Sequence, residues 1–460
     1  MITLRPYQET LVADIKSAMR SHRRVLAVSP TGSGKTVTFA HMAARVAEKG
    51  KRITVLVHRD ELVEQVSDTL SAFNVAHGVL ARGRRVPPGV RVVVASVFTL
   101  VRQIADRPAP DLLVIDEAHH GTSASTWGRV MGAYRNAFVL GVTATPYRLS
   151  GEGLNQSFDV MVQGPTVREL IDIGALADYR IFAPSSIDTT SMHKRGGDFL
   201  RGELAQRADK PSITGDVIGH YKRLADGLPA VAFCVSVEHA MHVATQFRDA
   251  GYRAVSIDGG MDRDVRRTVV ADFRAGRINV LTSCDLISEG FDMPGIHVGI
   301  LLRPTMSLGL YLQQVGRVLR TSPGKERALI LDHAGNVFRH GLPDDERDWS
   351  LDGEAARKRT ADDEPPPLRL CKHCFAVLRA TASACPQCGT PVVLQARKVE
   401  QQEGTLEEVD ASVLRRERMA EQGKAQTLEQ LIEVGRRRGF RNAVGWAKHV
   451  FDARRRRAVL

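Results

Sequence analysis

Lys35 and Thr36 end the stretch "VLAVSPTGSGKT", in which four apolar residues run into a turn holding Thr31, Gly32, Ser33 and Gly34. A strand, a glycine-rich turn and a helix start aim successive backbone N–H groups at one point, where an anion is stabilised. In such a loop Lys35 pairs with the β and γ phosphates of a nucleotide, and the Thr36 hydroxyl ligates Mg²⁺. Ser29 stands where the strict G-x-x-x-x-G-K-[ST] pattern has glycine. A glycine-rich turn without a ligand is the other reading of this segment taken alone. A second segment, "LLVIDEAHH", sets Asp116 and Glu117 directly after four apolar residues. Carboxylates at the C-terminal end of a buried strand lie where open α/β sheets bind ligands. Asp116 is suited to hold Mg²⁺ through its water shell, and Glu117 to orient and deprotonate an attacking water. Adjacent acids without the phosphate loop would be equally compatible with a solvated loop.

Cys371-Lys-His-Cys374 and Cys385-Pro-Gln-Cys388 form two C-x-x-C knuckles ten residues apart. Four thiolates fit tetrahedral Zn²⁺, which replaces a core that so small a module cannot build. An iron site or reduced free thiols are the alternatives. Cys234 and Cys284 follow strand residues and read as small apolar groups.

These groups need elements to position them, and the first 335 residues supply a rhythm. Short apolar runs alternate with amphipathic helical stretches, the βαβ pattern of a parallel sheet. Strands are expected at "VLAV" (25), "ITVLV" (53), "VRVVVAS" (90), "LLVI" (112) and "AFVLGV" (137), with "RDELVEQVSDTLSAF" as a helix among them. A polar segment interrupts the rhythm, which resumes with "AVAFCV" (230), "YRAVSI" (252), "INVLTS" (278), "HVGILL" (297) and "ALILD" (328). The expected division is a first α/β unit over 1–180, a connecting segment over 181–202 and a second unit over 203–350. A charged, proline-rich linker over 351–367, a zinc ribbon over 368–393 and a basic, largely helical region over 394–460 complete it.

The 460 residues carry a formal net charge of +12, and from Pro366 onward 18 Lys or Arg face 10 Asp or Glu. A basic surplus concentrated at one end suggests a polyanionic partner, since neutralised phosphates release condensed counterions; a solvated tail is the alternative. No window reaches the 18 apolar residues of a membrane span, and "MITLRPYQET" lacks a signal peptide's regions. A soluble, cytoplasmic protein is expected.

With these residues in view, the chain resembles the superfamily 2 helicases over about residues 2–340. "LRPYQ" resembles the adenine-reading segment, "SPTGSGKT" and "DEAH" motifs I and II, and "VLVHRDELVEQ" motif Ia. "SVFTL" resembles a strand-tracking motif, "TATP" motif III, "FCVSVEHA" motif IV, "TSCDLISEGFDMP" motif V and "QQVGRVLR" motif VI. The resemblance implies two tandem RecA-like domains closing on ATP and Mg²⁺. It implies Gln8 as the base contact with Arg5 supporting it, Gly290 and Asp292 near the nucleotide, and Arg320 as arginine finger beside Arg317 and Gln313. Arg59, Thr99, Ser236 and Thr282 would touch the backbone of a nucleic acid, and Thr143 and Thr145 would couple that path to ATP.

Motif VI looks like the DNA-processing branch rather than the RNA-remodelling DEAD-box proteins. "LDHAGNVFRHGLP", the knuckles and "IEVGRRRGFRNAVGWAKHVF" are together similar to the RadD-type DNA-repair helicases of bacteria or a phage-encoded relative. The implied activity is ATP-dependent remodelling or unwinding of DNA in repair or recombination, by a monomer acting on single-stranded or branched DNA beside repair or single-strand-binding proteins. An RNA helicase and an ATP-gated DNA-binding platform are the alternatives. In the last segment Arg436, Arg437, Arg438 and Arg454 to Arg457 would meet phosphates, and Trp446 would stack on a base or fill a small core.

Overall fold

Side chains alternate along the strand β1 (Arg24–Val28), sending Val25 and Ala27 to one apolar layer and Leu26 and Val28 to the other. The strands β2 (Ile53–Val57), β3 (His77–Leu80), β4 (Val92–Ser96), β5 (Leu112–Asp116), β6 (Phe138–Thr143) and β7 (Val160–Gln163) join it. Leu112 and Val114 of β5 likewise oppose Leu113 and Ile115. A sheet apolar on both faces needs helices on both, which parallel crossovers provide. All pairings in this sheet are parallel, in the order β3-β4-β2-β5-β6-β1-β7.

The computed structural model describes residues 3–120, 126–148, 152–184, 194–195, 198–199, 217–284, 293, 295–347, 349–352, 368–370, 377–379, 384, 406–409, 411–438, 440 and 442–457. Its second large sheet contains β8 (Asp178–Pro184), and a short pair β9 (Lys194–Arg195) and β10 (Asp198–Phe199) follows. β11 (Ala230–Phe233), β12 (Ala254–Ile257), β13 (Val280–Ser283), β14 (Val298–Leu301) and β15 (Arg327–Asp332) come next. β16 (Leu368–Leu370), β17 (Val377–Arg379) and β18 (Leu406–Val409) end the series. The sheet runs β12-β13-β11-β14-β15-β8-β18 and is parallel except for the last pair. Among the described residues the two-unit α/β architecture expected from the sequence is present.

Two boundaries move. β8 pairs with β15, and Leu170, Ile171, Ala175 and Leu176 pack in the second unit's core, so the second unit reaches back across the expected limit at 180 and into the supposed connecting segment. The cause is the open edge of β15, which Tyr179, Ile181 and Ala183 of β8 cover while facing that same core. The segment 349–352 leaves the second unit and returns to the first. There the Leu154 and Asn155 N–H groups donate to Leu351 O at 2.7 and 3.0 Å, and Trp349 packs edge-on against Tyr147. The C-terminal region, expected to be largely helical, also supplies one strand, β18, which adds antiparallel to β8.

Beyond β18 come the helices Ala411–Lys424, Leu428–Arg437 and Ala443–Arg457. Leu431, Val434, Trp446, Ala447 and Val450 form their small core, with Phe440 packed on it. Arg437 and Arg438 pair with Glu421 at 3.3 and 3.1 Å, and the Arg438 guanidinium lies 5.7 Å from the Trp446 ring centroid. These two arginines, expected on phosphates, thus brace the helices; the side chains of Arg454 to Arg457 lie outside the described residues. β16 and β17 pair antiparallel with Leu370 opposite Val377. Cys371, Cys374, Cys385 and Cys388 lie outside the described residues. Among the described residues no helix is long and apolar enough to cross a membrane.

Candidate active site

The turn after β1 folds as its residue types require. Gly32 and Gly34 hold φ of +89° and +79°, a region open to glycine at little cost. Gly34 caps the helix Lys35–Ala47, so the N–H groups of the first turn face the loop. A Cβ on Gly34 would lie 2.5 Å from Gln8 Nε2, and one on Gly32 would lie 2.8 Å from Leu176 Cδ2. Ser29 Oγ donates to Ser33 Oγ at 2.7 Å, which gives the departure from glycine at Ser29 a structural role in pinning the turn.

The helix Pro6–Ala18 lies against this loop. Tyr7 OH donates to Ser33 O at 3.0 Å, and Gln8 Nε2 lies 3.3 Å from Ser33 O and 3.5 Å from Gly34 O. Gln8 Oε1 accepts from the Arg5 N–H at 3.0 Å. Gln8 and Arg5 are therefore joined to each other and to the loop, and Tyr7 adds a contact that motif matching did not single out.

Lys35 Nζ donates to Ser29 O and Pro30 O at 3.1 and 3.2 Å, across the mouth of the loop. Desolvation lowers its pKa, opposed by the Glu117 and Asp116 charges and reinforced by Arg320 and Arg317. Asp116 ends β5, and its Oδ1 accepts from the Glu117 N–H at 3.0 Å. Burial and the neighbouring Glu117 charge push the Asp116 pKa up to about 7, against the pull of Lys35. For Glu117, burial acts upward, but His119, Lys35, His120 and Arg317 outweigh it and hold the carboxyl below its usual range. Pushing one carboxyl up and holding the other down follows from placing two acids together in a buried site. Glu117 adopts φ +49°, rare for a residue with a side chain and a place where backbone strain gathers at function.

The second unit supplies its groups from the helix Leu308–Val318, where Gln313 and Arg317 lie one turn apart and are 5% and 4% exposed. Gly316 abuts the loop so closely that an added Cβ would lie 2.6 Å from Thr31 Cβ, and Arg320 Cγ lies 3.4 Å from the corresponding position on Gly32. His119 bridges the units: its Nδ1 lies 3.0 Å from Thr143 Oγ1 and 3.4 Å from Glu117 Oε2, and its Nε2 lies 3.5 Å from Gln313 Nε2. Thr143 Oγ1 donates to Thr145 O at 2.8 Å. Thr143 and Thr145, expected to couple the strand path to ATP, are thus joined to each other and to His119, the member that the sequence reading left without a role. Its place directly after Asp116-Glu117-Ala118 was the available signal.

The residues fit a magnesium-bound nucleoside triphosphate. The loop leaves no room for a Cβ at two points, Lys35 and two arginines concentrate positive charge there, and Glu117 Oε2 is buried without a hydrogen bond. Thr36 and Asp116 would hold Mg²⁺, which when bound neutralises phosphate charge. Gly290 and Asp292 lie outside the described residues.

The proposed strand path is divided. Arg59 precedes the helix Asp60–Ala72 at the end of β2, Thr99 lies in the turn of helix after β4, and Ser236 caps the helix Val237–Asp249 after β11. All three lie at C-terminal strand ends, although Ser236 Oγ already accepts from His239 N–H at 3.0 Å. Thr282 is corrected: it is 0% exposed and its hydroxyl donates to Ala240 O at 2.6 Å. Inside β13 it braces strand against helix and has no surface to offer a phosphate.

Residues 1–148 match the family model described as type III restriction enzyme, res subunit, and residues 210–322 match the helicase conserved C-terminal domain. The chain is 36% identical over 361 residues to the 51.5 kDa protein of Lactococcus phage (isolate 7-9), covering 78% of this chain and 76% of that protein. It is 31% identical over 365 residues to a Schizosaccharomyces pombe protein provisionally named mitochondrial ATP-dependent helicase irc3, covering 74% of this chain and 59% of that one. A solved fragment of a provisionally assigned HsdR subunit of a type I restriction enzyme from Vibrio vulnificus YJ016 shares the fold. It has a TM-score of 0.58 at 21% identity, covering 75% of this chain and 67% of that one. With the phosphate loop, the paired acids and the second unit's arginines gathered in one cleft, the chain belongs to the superfamily 2 helicases, a family of nucleotide-hydrolysing enzymes.

Proposed function

We propose that the protein is an ATP-driven DNA motor whose two α/β units close on ATP and Mg²⁺ and reopen after hydrolysis, moving or remodelling DNA held along their C-terminal strand ends. The observation that carries this reading is the seam in which Gly316 and Arg320 of one unit meet Thr31 and Gly32 of the other. Groups supplied from a second body make turnover depend on closure, and closure is the motion a motor uses. In this reading Glu117 aligns and deprotonates the attacking water, Lys35 and Arg320 stabilise charge on the transferred phosphoryl group, and His119 with Gln313 reports phosphate state to Thr143. DNA rather than RNA is supported by the form of motif VI. The endonuclease subunits of type I restriction enzymes also count among the relatives.

A role in repair or recombination, action as a monomer, contact with repair or single-strand-binding proteins, and Zn²⁺ on the four knuckle cysteines are finer parts of the same proposal. Support for zinc is the spacing of the cysteines. Metal analysis of purified protein should find one Zn²⁺ per chain; its absence removes the ribbon.

Steady-state ATPase tests the motor, with no polymer, single-stranded DNA, forked DNA and matched RNA at one low salt concentration, because affinity varies with salt. DNA-selective stimulation is expected. Stimulation by RNA alone would make the protein an RNA helicase. Turnover indifferent to every polymer would make it an ATP-gated platform.

A further inference from the structure

The chain leaves the helix Leu308–Val318 on a short path that decides where Arg320 points. The Leu319 N–H still donates to Val315 O at 3.0 Å, but the Arg320 N–H reaches Arg317 O only at 3.5 Å, the far limit of a hydrogen bond. The helix has thus let go of the backbone at the very residue that meets the phosphate loop. Two outside supports take over. On one side Leu176 bridges Arg320 as an antiparallel β-partner, and the Ala177 N–H donates to Leu319 O at 2.8 Å. On the other side stands Lys325.

Lys325 comes back to the helix end through a turn at Pro323-Gly324, in which its N–H donates to Ser322 O at 3.1 Å and Gly324 holds φ +74°. Its Nζ donates to Arg320 O at 2.8 Å, to Ile296 O at 2.7 Å and to Val318 O. An ammonium carries three protons, so three carbonyls use all of its donors. Val318 O is among the carbonyls that a helix end leaves unsatisfied, and a cation at that end also complements the helix dipole. Ile296 precedes β14 and packs in the second unit's core, so the ammonium ties the Arg320 main chain to that core. Burial pushes the Lys325 pKa down to about 7. Keeping a cation where burial opposes its charge is costly, and groups held at such cost gather at functional sites.

The Arg320 side chain is already committed to the seam: its Cγ lies 3.4 Å from where a Cβ on Gly32 would stand, and its charge acts on Lys35. A shift of its backbone is therefore passed on to the nucleotide site. We infer that Lys325 is a positioning residue for the arginine finger, fixing the direction in which the Arg320 guanidinium enters that site by clamping Arg320 O to Val318 O and Ile296 O. The inference rests on the reading of Arg320 as the finger and deepens it. Lys325 touches no substrate atom and acts through the Arg320 main chain.

The deciding experiment is a double-mutant cycle on the full chain, read as single turnovers of ATP with enzyme in excess. Lys325→Met keeps an apolar stem and removes the ammonium. Its turnover should fall roughly ten- to a hundredfold, as small displacements of a catalytic group do, while the steady-state KM for ATP stays within about twofold of wild type. ADP with aluminium fluoride, a mimic of the transferred phosphoryl group, should bind this variant more weakly, and ADP alone should bind it as it binds the wild type. In an Arg320→Ala background the same change should cost nothing further, because the clamp then holds no finger. Losses that multiply would make Lys325 a general brace of the second unit and overturn the inference. Wild-type turnover in Lys325→Met, or a raised KM with turnover intact, would overturn it too. If Lys325→Met does not fold, Lys325→Gln, which keeps two amide donors, carries the same expectations. The two readings fail separately. Full turnover by Arg320→Ala removes the finger itself, whereas a crippled Arg320→Ala beside an unimpaired Lys325→Met removes only the clamp.

Discussion

Replacing His119 with Ala removes three contacts that meet on one imidazole: Thr143 Oγ1 at 3.0 Å, Glu117 Oε2 at 3.4 Å and Gln313 Nε2 at 3.5 Å. A buried neutral hydrogen bond contributes about 1 kcal/mol, and one to a charged group about 1.5–3 kcal/mol. The carboxylate contact is an ion-pair approach rather than a hydrogen bond and adds at most about 1 kcal/mol to the two neutral contacts. A loss of about 2–3 kcal/mol in transition-state stabilisation follows, equal to roughly a 30- to 150-fold fall in kcat. The same substitution removes the strongest influence holding the Glu117 carboxyl down, so its pKa rises. Because the base acts when ionised, the acid limb of the kcat profile moves to higher pH. The assay is steady-state ATPase under saturating nucleotide and polymer across pH 5.5–9, a window of about a unit or two either side of neutrality chosen to bracket a general base. A variant within twofold of wild type with an unmoved acid limb would refute the bridging role.

Arg320→Ala should retain ATP binding and lose about a thousandfold or more in turnover, as other finger losses do; weakened binding with intact turnover would remove it from that role. Gly34→Ala forces a side chain into φ +79° and against Gln8 Nε2, so KM for ATP should rise several-fold, and an unchanged KM would mean the loop relaxes freely. Asp116, raised to about 7 in the fold, favours the native state fully below its unfolded pKa, and that contribution is lost as pH rises through about 7. In metal-free protein Tm should therefore decline across that interval, and Asp116→Asn should flatten the decline. Thr282→Ala should leave DNA affinity unchanged in titrations, since the hydroxyl never reaches the surface.

Much of the fold was legible because the strands that build both sheet centres are short, β-branched and bounded by polar turns. The ten strands read from the sequence all appear, from "VLAV" in β1 to "ALILD" in β15. The strands that escaped were at edges or beside them. β3, "HGVL", and β7, "VMVQ", carry too few apolar residues to stand out, and β18, "LEEV", is charged at its centre. Edge strands face solvent, so their composition resembles that of loops. At the site, the loop and paired acids were readable because their chemistry depends on local spacing. Thr282 was misassigned because motif position says nothing about which face of a strand a hydroxyl takes. His119 was passed over because its work depends on Thr143 and Gln313, neither adjacent in sequence.

β18 carries a consequence for dissecting the protein. It supplies the outermost partner of β8, so residues far along the chain complete a sheet begun at Asp178. Cutting the chain ahead of Leu406 strips that partner and leaves β8 with bare N–H and C=O groups, a template on which other chains can polymerise. A shortened protein that precipitates or loses turnover would then report a wounded second unit rather than the loss of a dispensable basic appendage. Internal substitutions that leave Leu406–Val409 in place are the sound way to ask what the terminal helices contribute.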